Sequence, residues 1–241
     1  MAIKKNELYI ANIPVEIVKK NIKNLHLAVL PPDGKVRISA PAGLSDEAIL
    51  LFAKTKIGWI KKQQEKFKNQ PRQSERQYVS GETLYVWGKQ YFLRVEYSYK
   101  RNTLQLSGNQ AILTVRKEST AKQREAFVNE WYRSLLKQEI EKHLPAWEEK
   151  TGLHCSAWQT KYMTTRWGTC NTNTGKIWIN LQLAKKPIEC LDYVILHELT
   201  HLKVPNHGKD FVAFMDTHMP YWREIKKRLN DSTLDYMISN I

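Results

Sequence analysis

Apolar residues in the first 40 positions recur over short runs: Tyr9, Ile10 and Ile13, then Val15, Ile17 and Val18, then Leu25, Leu27 and Val29, then Val36 and Ile38. Alternation with a period of two gathers such residues on one face of a pleated strand, so the region predicts short strands. Pro31–Pro32–Asp33–Gly34, between the last two runs, has turn chemistry and predicts a hairpin. After Pro41–Ala42–Gly43 the period changes. Ser45 is placed as an N-cap ahead of Asp46 and Glu47, and Ile49, Phe52, Ile57, Ile60 and Phe67 recur at near-helical spacing in a segment ending before Pro71. Residues 70–77 are polar and read as a linker or exposed loop.

Strand character returns over 83–116, in runs separated by Gly88–Lys89, Arg101–Asn102 and Gly108–Asn109, which predicts a meander of antiparallel strands. From Ser119 a long helix is expected, with Phe127, Trp131, Leu135 and Ile140 on one side, Pro145 interrupting it and Gly152 closing it. Strands are expected over 157–162 and 176–181. Pro187 suits the first position of a helix that runs through Cys190, Leu191, Val194, Ile195 and Leu196 to about Lys203. Two shorter helices are expected around 209–217 and 221–229. The fold class is α+β, with a β-rich N-terminal part. The expected divisions are a basic hairpin-plus-helix region at 1–80, antiparallel strands at 81–118, and a catalytic part at 119–241.

Composition narrows the class. The chain has 241 residues, 42% hydrophobic and 26% charged, an ordinary globular balance that excludes disorder. Its apolar runs are far shorter than the roughly 20 residues of a membrane span. The N-terminus lacks the apolar stretch of a secretory signal, and Cys155, Cys170 and Cys190 show no CxxC spacing. A cytoplasmic location with reduced thiols is therefore expected. The net charge of +14 is uneven: residues 1–80 hold 15 Lys/Arg against 7 Asp/Glu. Much of that excess lies on the first helical segment, at Lys54, Lys56, Lys61, Lys62, Lys66 and Lys68, a surface for nucleic acid or nucleotides or simply a solvated basic face.

The chemistry is concentrated in His197-Glu198-Leu199-Thr200-His201. Histidines at i and i+4 share one helical face, close enough for both imidazoles to reach one metal, and the intervening glutamate stands beside it as a general base. Pro205 disfavours helix at Val204 and turns the chain, so that His207 can return to the same ion. Three imidazoles with an open fourth position are the donor set of a catalytic zinc. The spacing also matches the metzincin pattern, but Val204 stands where that pattern needs glycine. Asp210 is a fallback ligand, and His26, His143, His154 and His218 have no comparable setting.

The stretches Arg166-Trp167-Gly168-Thr169-Cys170, Ile177-Trp178-Ile179-Asn180, Leu191 through Leu202, and Asn206-His207-Gly208 with Phe211 resemble the YgjP-like metal-dependent hydrolases, relatives of SprT-type and other zincin-like metallopeptidases. Thr169 and Gly208 depart from the serines usual there. The resemblance implies a zincin-like C-terminal domain with an HExxH active-site helix. It further implies zinc on His197, His201 and His207, Glu198 as base, and peptide or protein as substrate. It makes the strand at 176–181 the edge strand that receives an extended substrate. Arg166 is the candidate to steady a developing oxyanion or a substrate anion. Asp192 is a candidate to orient a ligand histidine. Cys170 reads as a structural thiol, and Trp167 and Trp178 as core. Two other readings stay open: hydrolysis of a nucleotide or other phosphate ester, and a nucleic-acid-associated protein with a structural zinc.

Overall fold

A computed structural model describes residues 5–30, 34–69 and 76–231, which divide into two compact units at about residue 72. The first unit contains strands β1 (Lys5–Ile10), β2 (Ile13–Lys20), β3 (His26–Leu30) and β4 (Lys35–Pro41), then helices α1 (Asp46–Thr55) and α2 (Ile57–Asn69). The sheet order is β1-β2-β4-β3, with β2 and β4 parallel and the outer pairs antiparallel. Ala11 and Asn12 both take positive φ, the two-residue turn whose twist suits a hairpin. Alternate residues of β2 and β4 (Val15, Ile17, Val36, Ile38) meet Ile49, Ala53 and Ile60 from the helices in one core. The expected β3–β4 pairing is present; its turn at Pro31–Asp33, like most of the 70–77 linker, lies outside the described residues.

Ser45 caps α1 by accepting from the Ala48 N–H. The predicted single helical segment is two helices. The Thr55 hydroxyl donates back to the Phe52 carbonyl at 2.7 Å, and the Lys56 N–H reaches Ala53, a tight turn that bends the helix there.

The second unit opens with β5 (Thr83–Val86), β6 (Lys89–Tyr97), β7 (Thr103–Ser107) and β8 (Gln110–Val115), in the order β5-β6-β8-β7. A plain meander was expected. Each hairpin is antiparallel, but β6 pairs with β8 in parallel, because the chain carries β7 past β8 to the sheet edge before returning. Local turn signals specify each hairpin but not how two hairpins join.

Helix α3 (Ala121–Thr151) starts from a capping box between Thr120 and Gln123 and ends at Gly152 in the left-handed conformation. It runs through Pro145, which is exposed and does not interrupt it. Its buried face is Arg124, Val128, Tyr132, Leu136, Ile140 and Leu144; Phe127, Trp131 and Leu135, the expected face, are half-buried beside it. The stripe follows a strict four-residue step that admits Arg124 and Tyr132, which a search for apolar residues passes over.

Strands β9 (Ala157–Lys161), β10 (Gly168–Asn171) and β11 (Lys176–Asn180) form a second sheet. A 3-10 turn (Leu181–Lys185) leads to α4 (Ile188–Lys203), α5 (Lys209–His218) and α6 (Trp222–Asp231). Pro187 takes the N-cap of α4, one position before that expected. The β5–β6 turn docks beside the start of α4: the Trp87 N–H donates to the Ala184 carbonyl at 2.9 Å. A Cβ on Gly88 would lie 2.8 Å from Pro187 Cγ. Among the described residues, no helix is long and apolar enough to cross a membrane.

Candidate metal centre

Helix α4 is buried almost throughout, from Cys190 to Thr200. It ends at Val204, whose extended backbone is the one that the following Pro205 favours. This ending also orients a side chain. The Val204 carbonyl lies 3.2 Å from His201 Nδ1, a contact that leaves Nε2 free for the cluster when Nδ1 carries the hydrogen. His207 follows on the loop before α5, and its Nε2 stands 3.1 Å from His197 Nε2. Phe211 of α5 packs under all three imidazoles, with ring centroids 5.0, 5.0 and 4.7 Å from those of His197, His201 and His207.

The donor atoms of His197, His201 and His207 lie within 4.8 Å of one another. Tetrahedral zinc with bonds of about 2.0–2.1 Å holds its ligand atoms roughly 3.3 Å apart, so the 3.1 Å nitrogen pair is close to coordinating separation. Burial lowers the pKa of all three, that of His197 to about 2; neighbouring histidines and Lys226 add to the shift at His197 and His207, while backbone contacts at Val204 and Pro205 oppose it at His201. Neutral imidazoles are the form a metal requires. Convergent and held toward the neutral form, with His197 buried, His201 half-buried and His207 exposed, the three side chains fit a divalent ion with a preference for nitrogen. Asp210 is exposed and stands outside this group.

Glu198 is 3% exposed, and burial pushes its pKa up to about 8 against the pull of Arg166, whose positive charge favours the carboxylate. Arg166, Gly168, Thr169, Cys170, His207 and Glu198 line one cleft of about 350 Å³. Gly168 is where β10 passes the acid: a Cβ there would stand 2.5 Å from Glu198 Oε1 and 2.8 Å from its Cγ. Only glycine lets the strand and the carboxylate come this close.

The loop carrying Arg166 is held by Asn180, fully buried at the end of β11. Its amide donates to the Met163 and Arg166 carbonyls at 2.9 and 2.6 Å, and its oxygen accepts from the Met163 and Gln182 N–H groups. The sequence motif contained Gly168 and Asn180 without revealing what either does. Gly168–Asn171 is too short, and too poor in apolar residues, to read as a strand.

Two expectations need correcting. The strand at 176–181 is not an edge: β11 lies between β10 and β9, so both its backbone rims are occupied, and the edge bordering the cleft is β10. Asp192 does not orient a histidine of the cluster. It accepts from Trp147 Nε1 and pairs with His143 Nδ1, both at 2.7 Å, and so ties α4 to α3. Cys170 is half-buried on the cleft wall, and burial raises its thiol to about 11 with Glu198 adding to the shift. Trp167 is buried and Trp178 half-buried.

No curated protein matches the chain. Among solved structures it is similar to the metallopeptidase zymogen abylysin of Pyrococcus abyssi, with 19% identity over 41% of this chain and 99% of that one, at a TM-score of 0.38. It is also similar to the metallopeptidase zymogen jannalysin of Methanocaldococcus jannaschii, with 23% identity over 37% of this chain and 92% of that one, at a TM-score of 0.34. A family model for the YgjP-like metallopeptidase domain matches residues 23–232, most of the chain. The chain belongs to the YgjP-like metallopeptidase family.

Proposed function

We propose that the protein hydrolyses peptide bonds with a zinc ion held by His197, His201 and His207 and with Glu198 as general base. The observation that carries this reading is the convergence of three imidazoles beside one buried carboxylate on an open cleft. Zinc, when bound, supplies Lewis-acid polarisation of the carbonyl and acidifies water. Glu198 takes the proton of the attacking water and delivers it to the departing amine. Its raised affinity for a proton suits both halves of that exchange. The charge of Arg166 opposes the rise in the Glu198 pKa without cancelling it, and Arg166 stands on the cleft wall to meet negative charge on the substrate.

The free rim of β10 offers backbone groups to an extended peptide, which would add as a further strand. A cytoplasmic setting is supported by three free cysteines. The test is hydrolysis of a fluorogenic peptide by zinc-loaded protein, beside Glu198→Gln and His207→Ala. The reading requires loss of turnover in both variants and loss of zinc in the second. Turnover of nucleotides but not peptides, dependent on Glu198, would instead support the phosphate-ester reading.

A further inference from the structure

A second cavity in the same unit, about 730 Å³, is larger than the histidine cleft. It opens where β6 and β8 end. These neighbouring strands are parallel, and beyond them the chain diverges: residues 98–102 lead to β7 across β8, and residues 116–120 lead to α3. Crevices beyond the carboxyl ends of parallel strands with diverging connections are recurrent ligand sites in open sheets.

The lining is cationic. Lys100 and Arg101 come from the first connection and Arg116 from the second; Glu118 is the one carboxylate among the lining residues. None of the three cations makes an ion pair among the described residues. Ser119 ties a fourth cation to the lining. Arg124 is 8% exposed, and its guanidinium donates to Ser119 Oγ at 2.9 Å and to the Tyr78 carbonyl at 3.2 Å, with the Tyr97 ring at 5.8 Å. These partners carry no negative charge, and a buried cation without a counter-ion is costly. Ser119, which also lines the cavity, in turn donates to the Arg116 carbonyl. The α3 terminus is capped by its own Thr120 and Gln123, so the attraction for anions comes from the side chains.

We propose that this crevice binds a small phosphate-bearing anion. Three cations lining the crevice with one carboxylate, and a fourth bonded to the lining residue Ser119, call for a multiply charged group, and two guanidinium forks match the paired oxygens of a phosphate. The half-buried Phe127 ring on the lining leaves an apolar surface for the organic part of the ligand.

The test is calorimetric titration of the full-length zinc-loaded protein with inorganic phosphate and with glycerol 3-phosphate. Arg101→Ala/Arg116→Ala is the site variant. Lys61→Ala/Lys62→Ala removes the same charge from α2. Single-site binding is expected, weakened roughly tenfold or more in the arginine variant and unchanged in the lysine variant. Peptide hydrolysis by the arginine variant at the wild-type rate would show that it is folded. Absence of binding overturns the proposal, as does equal affinity in the arginine variant or equal weakening in both variants. Tighter binding of a glutamate-rich peptide than of either phosphate at the same arginines overturns the choice of ligand.

Discussion

Replacing Gly168 with alanine tests the closeness of strand and carboxylate with a single methyl group. Its Cβ would stand 2.5 Å from Glu198 Oε1, 2.8 Å from Cγ and 2.9 Å from Cδ. Carbon atoms rest about 3.5–4.0 Å apart, so one partner must move by roughly 0.6–1 Å. The strand is poorly placed to move: Gly168 pairs with Ile179, and the preceding Trp167 is fully buried, its carbonyl accepting from the Asn180 N–H at 2.9 Å. The α4 backbone is fixed by its buried face. The Glu198 side chain therefore gives way.

Overpacking of this kind costs about 1–3 kcal/mol of stability. A displacement near 1 Å of a group that must meet a reacting proton costs about 100-fold in rate, or about 2.7 kcal/mol of barrier. The assay is kcat and KM on a fluorogenic peptide, with zinc content and a denaturation midpoint measured on the same preparation. The expected variant is folded and zinc-loaded, with kcat down about 100-fold and KM little changed. Wild-type kcat would refute the steric argument. A rate loss that tracks zinc loss would show that the methyl group disturbs the histidines rather than the base.

In zinc-free protein, Glu198 binds its proton more tightly folded than unfolded, so the folded state is penalised as pH rises from 4.5 to about 8. Glu198→Gln removes that penalty and should stabilise the zinc-free protein by an amount that grows over this range to several kcal/mol, on the order of 3–5. Urea melts at both ends of the range check it, and a pH-independent difference counts against it. Arg166→Ala withdraws the charge that favours the Glu198 carboxylate, so the acid limb of the kcat/KM profile should move to higher pH; an unmoved limb would separate Arg166 from the base. Asn180→Ala removes the buried amide that bonds the backbone at Met163, Arg166 and Gln182, and should cost roughly 1–3 kcal/mol in a denaturant titration. Thr120→Ala breaks the α3 capping box and should cost about 1 kcal/mol without changing turnover.

Much of this protein follows from order along the chain. Ser45, Pro187 and Gly152 mark helix ends because capping and the stereochemistry of proline and glycine act over a few residues. His197 and His201 face one way because four residues are about one helical turn, and Pro205 ends the helix so that His207 can return. What depends on residues distant in sequence could not be read this way. The parallel pairing of β6 with β8 joins two hairpins whose local signals are the same in a meander. Arg124 and Tyr132 belong to the buried face of α3 because the surrounding elements supply partners for their polar groups. The central place of β11, the closeness of Gly168 to Glu198, and the bond from Asp192 to α3 all join segments with independent local preferences. Local stereochemistry made the histidine pattern visible, while long-range packing decided which strand borders the cleft and what holds its wall.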